Sequence, residues 1–174
     1  MTERMIAIFG TGKAQPTHEA YDLAYRTGKA LAEKGYTIIN GGYNGTMIAA
    51  AKGAQEAGGK VLGVTCSAFK RASANEYTTE QITTASLDER LDTLIKLGQA
   101  YIVLPGGTGT LLELAKVWEL KNKGFLNAGK PIILMGDFWK PLLECVAAED
   151  AGCVKHVEFA AGPDEIVDIL AKSV

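Results

Sequence analysis

The sequence has too few cysteines for a disulfide framework. Cys66, Cys145 and Cys153 are an odd number without framework spacing, a usage that suits reduced thiols. No close Cys-x-x-Cys pair supports Cys145, Cys153 and His156 as metal ligands, so no metal site is expected. Long apolar runs are missing too, since nothing approaches the roughly 20 residues that span a bilayer. The opening MTERMIAIFG puts charges where a signal peptide needs its apolar region. The reading is a cytoplasmic protein with no membrane attachment. An excess of one charge is also lacking: 18 basic residues against 20 acidic ones leave a net charge of −2, which gives no long-range attraction to nucleic acid. Internal repeats, low-complexity tracts and linkers are absent. What remains, 174 residues at 47% hydrophobic content, is enough for one globular domain over residues 1–174 with a sizeable core.

Short apolar runs alternate with longer segments of helical period, the pattern of an α/β chain building a parallel sheet. Strands are predicted at Met5–Phe9, Tyr36–Asn40, Val61–Thr65, Gln81–Thr84, Tyr101–Leu104 and Pro131–Met135, with a last one at Val157–Phe159. Helices are predicted at His18–Lys34, Gly45–Ala57, Leu87–Leu97, Thr110–Lys121, Phe138–Ala148 and Asp164–Ala171. One irregular stretch, Cys66–Thr79, carries Phe69, Lys70 and Arg71; it reads as a solvated loop or as a loop that folds over a ligand.

In such a sheet the ligand crevice lies outside the carboxyl ends of the strands. Three predicted strand-to-helix loops there carry glycine: GTGK at Gly10–Lys13, NGGYNGTM at Asn40–Met47 and PGGTGT at Pro105–Thr110. Glycine permits positive φ and lets backbone N–H groups approach an anion, and a following helix N-terminus adds unpaired donors. One such loop is ordinary packing geometry; GTGKAQ lacks the last glycine of a dinucleotide fingerprint, and no Gly-x-x-x-x-Gly-Lys-Ser/Thr loop is present. Three loops on one sheet edge point to a phosphorylated ligand. The residues expected to hold it are Gly12, Gly42, Gly45, Met47, Gly106, Gly107, Thr108, Gly109 and Thr110.

The run from Pro105 to Glu113, PGGTGTLLE, resembles the Pro-Gly-Gly-x-Gly-Thr-x-x-Glu signature of the Lonely Guy family, the cytokinin riboside 5'-monophosphate phosphoribohydrolases, at every fixed position. Arg90 stands fifteen residues before Pro105, the spacing of an arginine in that family, and GGYNGTM resembles its Gly-Gly-x-x-Gly-x-Met stretch. The similarity runs in order from about Ile6 to Gly152. It implies a Rossmann-like three-layer sandwich that hydrolyses the N-glycosidic bond of AMP or an N6-substituted relative, with no cofactor, working as at least a homodimer. Glu113 would be the catalytic carboxylate that stabilises an oxocarbenium-like ribose. Arg90 would be its catalytic companion, for the leaving group or for phosphate.

Both residues have plainer readings. Glu113 reads as a first-turn helix acid, and Arg90 as a solvated arginine behind a capping box formed by Ser86 and Glu89. The chain also departs from the family pattern. Leu91 follows Arg90 where lysine is common, Asn40 replaces a third glycine, Thr46 and Ile48 flank Met47, and Cys66 occupies a frequent proline position. The alternative is a carrier or sensor, like the molybdenum cofactor carriers, that holds a nucleotide or phosphorylated cofactor without hydrolysing it. A carrier needs the glycine loops but not the Arg90 and Glu113 pair. The apolar Leu111, Leu114, Ala115, Val117 and Trp118 suggest a dimer seam or burial in their own domain; Trp118 would pack at that seam or close the base pocket.

Overall fold

A computed structural model describes residues 4–70 and 73–173. Seven strands form its sheet: β1 (Met5–Phe9), β2 (Thr37–Asn40), β3 (Val61–Cys66), β4 (Glu80–Thr84), β5 (Ala100–Val103), β6 (Ile132–Met135) and β7 (Val157–Ala160). The helices are α1 (Glu19–Glu33), α2 (Thr46–Glu56), α3 (Leu87–Leu97), α4 (Thr108–Asn122), α5 (Lys140–Ala147) and α6 (Pro163–Ser173), with a 3-10 turn at Ala151–His156.

Every strand pair is parallel, in the order β4-β3-β2-β1-β5-β6-β7. A parallel sheet needs apolar side chains on both faces because crossover helices cover both. Here the alternation divides cleanly. Ile6, Ile8, Ile38 and Ile102 point to a core shared with α1, α2 and α6, while Ala7, Phe9, Ile39 and Tyr101 point to one shared with α3, α4 and α5. The chain moves outward from β1 to β4, then returns to β5 on the other side of β1. The switch in direction between β1 and β5 opens a crevice at their carboxyl ends, where the first and third glycine loops emerge.

The α/β fold follows the sequence expectation closely, and its differences have local causes. Helix α4 begins two residues before the expected Thr110, because Gly107 takes extended backbone as the N-cap and the Thr108-Gly109-Thr110 run is already helical. Cys66 extends β3 because it still pairs with Thr84 of β4. Helix α5 starts at Lys140, two residues after the expected Phe138, since Asp137 opens a turn whose carbonyl accepts from the Lys140 N–H. The 3-10 turn was not expected. Trp118 is buried, its indole N–H donating to the Cys153 carbonyl of that turn at 2.9 Å. Trp118 belongs to the core between the sheet and α4 and also lines the apolar groove beside that turn.

Candidate functional site

The loops at the carboxyl edge divide the work. The first is tied to the second: the Thr11 carbonyl accepts from both the N–H and the hydroxyl of Thr46, at 2.9 and 3.1 Å. Gly45, at φ 68°, lies so close to the Thr11 carbonyl that a Cβ would collide with it. Only glycine fits there. Gly42 is also at positive φ, and its N–H is taken by the Asn40 side chain at 2.8 Å. Gly42 and Gly45 thus shape the turn, and the first amide of α2 is satisfied by protein.

Helix α4 is different. No side chain caps it, and Gly107, Thr108 and Gly109 are exposed. An uncapped helix N-terminus presents orphan N–H donors and the positive end of the dipole. Gly107 and Gly109 have nothing within 4 Å of a would-be Cβ. Neither has positive φ, so the space in front of them, not backbone strain, is what glycine supplies. Gly106 closes over the buried Thr110, leaving no room for a Cβ. Thr110 therefore supports the loop from beneath.

Arg90 enters from α3. Its Nε–H donates to the Val64 carbonyl at 2.8 Å, and its side chain is 9% exposed. The guanidinium carbon lies 5.5 Å from the Tyr43 ring centre and 5.8 Å from that of Phe69, within cation–π range. Nη1 is 3.9 Å from Oε1 of Glu113, close enough for attraction but too far for a hydrogen bond. Arg90 is thus a fixed, buried cation. Just N-terminal to it, Ser86 caps α3 by accepting from the Glu89 N–H, while the Glu89 carboxylate accepts from the Ala85 N–H. Glu89 is structural.

Glu113 is the sixth residue of α4, counted from Thr108. It lies in the second turn, so the first-turn reading gives way, and the dipole that fades within one turn does not hold it ionised. Burial decides instead. It pushes the Glu113 carboxyl up to about 7, with Arg90 pulling the other way. The result is an acid poised near neutrality.

The parts played by several residues of the site were not anticipated in the sequence. At Gly41 a Cβ would overlap Nη2 of Arg90 and approach the Met47 sulfur at 2.7 Å; its glycine makes room for the arginine. Asn40 is fully buried, and besides holding the Gly42 amide it donates to the Met47 carbonyl at 3.1 Å. Asn75 donates through its side chain to the Gly42 and Tyr43 carbonyls, at 3.1 and 2.9 Å. The irregular stretch is therefore strapped to the second glycine loop; the expectation for Arg71 lies outside the described residues. Gly12 and Met47 line a cavity of about 240 Å³ with Tyr43, Asn44 and Phe69. A buried asparagine at a strand end was the one signal available beforehand.

Gly41→Ala is expected to displace the Arg90 guanidinium and lower the melting temperature while the far-UV circular dichroism stays native, since the added Cβ would overlap Nη2 and crowd the Met47 sulfur. Melting curves of the two proteins check it.

The profile of the SLOG cluster4 family matches residues 3–166. The chain belongs to that family. Among relatives, it is 37% identical over 129 residues to the cytokinin riboside 5'-monophosphate phosphoribohydrolase of Mycobacterium tuberculosis, covering 72% of this chain and 67% of that one. The molybdenum cofactor binding protein from the phototrophic bacterium Rippkaea orientalis superposes with a TM-score of 0.80 at 26% identity, over 99% and 98% of the two chains. The molybdenum cofactor carrier protein of Chlamydomonas reinhardtii gives 0.76 at 26% identity, over 98% of each. This SLOG cluster4 chain is thus similar both to named hydrolases and to named carriers, on one Rossmann-like fold. Among the described residues no helix is long and apolar enough to cross a membrane, no group of His, Cys, Asp and Glu is arranged for a metal, and the three cysteines are unpaired.

Proposed function

We propose that the protein hydrolyses the N-glycosidic bond of a nucleoside 5'-monophosphate, AMP or an N6-substituted cytokinin riboside monophosphate, to free base and ribose 5-phosphate. The observation that carries this reading is the largely enclosed Glu113, its side chain 14% exposed, facing Arg90 at 3.9 Å on the helix whose uncapped N-terminus is open. Glu113 lies five helical steps beyond Thr108, about 7.5 Å along the axis at about 1.5 Å each. That span suits a ribose between a phosphate at the helix start and chemistry at the carboxylate.

In the reaction the C1'–N bond breaks with its electron pair going to the base, leaving positive charge on the ribose. The Glu113 carboxylate stabilises that cation and orients the water whose oxygen bonds to C1'. One water proton ends on the base and the other stays in the new C1' hydroxyl. Arg90, a permanent cation, stabilises charge on the departing base.

Purified protein incubated with AMP is expected to release adenine and ribose 5-phosphate, and with adenosine to release no base, because phosphate anchoring at α4 supplies the positioning; chromatography of free base checks it. Binding of AMP without release favours the second reading, a non-hydrolytic carrier, which the two molybdenum cofactor proteins support by matching nearly the whole chain. We further propose a cytoplasmic homodimer. The exposed Leu112 and the apolar groove at Leu111, Ala115, Leu142 and Val146 suit a second copy, and sedimentation velocity tests it. Leu114, Val117 and Trp118 belong to the monomer's own core.

A further inference from the structure

Tyr43 and Phe69 form a tilted aromatic pair, with ring centres 5.8 Å apart and planes at 44°. Neither is needed for a phosphate cradle or for a catalytic acid. Tyr43 is held in place: its hydroxyl accepts from the Cys66 N–H at 2.8 Å, fixing the ring across the top of β3. Phe69 packs against Tyr43 and Arg90 yet keeps 38% of its surface exposed, an apolar face open to solvent. Behind both rings stands the Arg90 guanidinium. In front lies the cavity of about 240 Å³ that they share with Gly12, Asn44 and Met47.

The chemistry of that lining is selective. Of its side chains only Tyr43 and Asn44 carry polar atoms, and the Tyr43 hydroxyl is committed to Cys66. Phe69 offers an accessible aromatic ring, and Met47 a soft thioether that adapts to a flat partner. Such a slot grips a planar heteroaromatic by stacking, which is indifferent to the pattern of donors and acceptors on its edge. Arg90 touches both rings of this slot and stands 3.9 Å from Glu113, so one side chain links the two.

Resting on the nucleotide reading above, we propose that Tyr43, Phe69 and Met47 form the base subsite, selecting a purine over a pyrimidine by stacked area and tolerating substituents on the purine edge. A purine, with two fused rings, covers more of the aromatic pair than a pyrimidine does. Phe69 is a specificity-determining residue in this arrangement.

The test is calorimetric titration of wild type, Phe69→Ala and Phe69→Trp with AMP, CMP and ribose 5-phosphate, with melting curves as a check on folding. Phe69→Ala is expected to weaken AMP about tenfold, the order of one lost base-stacking contact, while ribose 5-phosphate stays within about twofold of wild type. Phe69→Trp is expected to retain AMP affinity, and wild type to bind CMP more weakly than AMP. Equal weakening of AMP and ribose 5-phosphate, unchanged AMP affinity in Phe69→Ala, loss of AMP affinity in a folded Phe69→Trp, or equal binding of CMP and AMP overturns the subsite while leaving the nucleotide reading intact. Wild type that binds neither AMP nor ribose 5-phosphate overturns that reading, and the subsite with it.

Discussion

Glu113→Gln is expected to keep AMP bound while kcat falls on the order of 10³-fold, because a carboxylate facing a developing cation acts in the transition state far more than in the ground state. Glutamine preserves size and most hydrogen bonding, so the change isolates charge. Stability should respond with a sign of its own. Burial raises the folded-state value to about 7 from an ordinary 4.5, so ionising Glu113 opposes folding. The stability it contributes is fully present below the unfolded value and is lost as pH rises through the folded one. Glutamine cannot ionise, so the variant should melt above wild type at pH 8 and level with it at pH 4. Single-turnover kinetics and melting curves at the two pH values check both halves. Near wild-type turnover would return Glu113 to an ordinary buried helix acid.

The second large effect is expected at Arg90. Wild-type kcat/KM should rise with pH to a plateau, the midpoint near 7 marking ionisation of Glu113. Arg90→Ala should lower kcat/KM by roughly 10² to 10³-fold, through loss of a charged group held against substrate. It should also move the midpoint to more alkaline pH, because the Arg90 charge pulls the Glu113 value down. A pH–rate profile of the variant separates these effects. A reduced rate with an unmoved midpoint would mean that the two side chains, 3.9 Å apart, do not sense each other.

The layered fold was legible because each strand is covered on both faces and announces itself as a short apolar run, with helical period between. Arg90 and Glu113 were legible only through a motif and its spacing; neither periodicity nor composition marks them. The second-turn place of Glu113 was missed because the start of α4 depends on Gly107 serving as its cap, and two residues of shift move the acid out of the dipole's reach. Gly41 was invisible for another reason. Its requirement comes from Arg90, nearly fifty residues away in sequence, and no local pattern records an arginine passing overhead. Phe69 was noted only as part of a loop that could fold over a ligand; its pairing with Tyr43 escaped, since that pairing exists only once the segment after β3 is strapped down by Asn75.

The second glycine loop contains two Asn-Gly steps, Asn40-Gly41 and Asn44-Gly45, and the fold locks the first of them. Spontaneous deamidation begins when the backbone nitrogen after an asparagine attacks its side-chain carbonyl carbon, a ring closure that glycine leaves unhindered and that demands a freely turning carboxamide. Asn40 cannot turn: it is fully buried, with its oxygen held by the Gly42 N–H and its nitrogen by the Met47 carbonyl. The step beneath Arg90 is therefore spared chemical ageing in stored protein for as long as the native fold is closed.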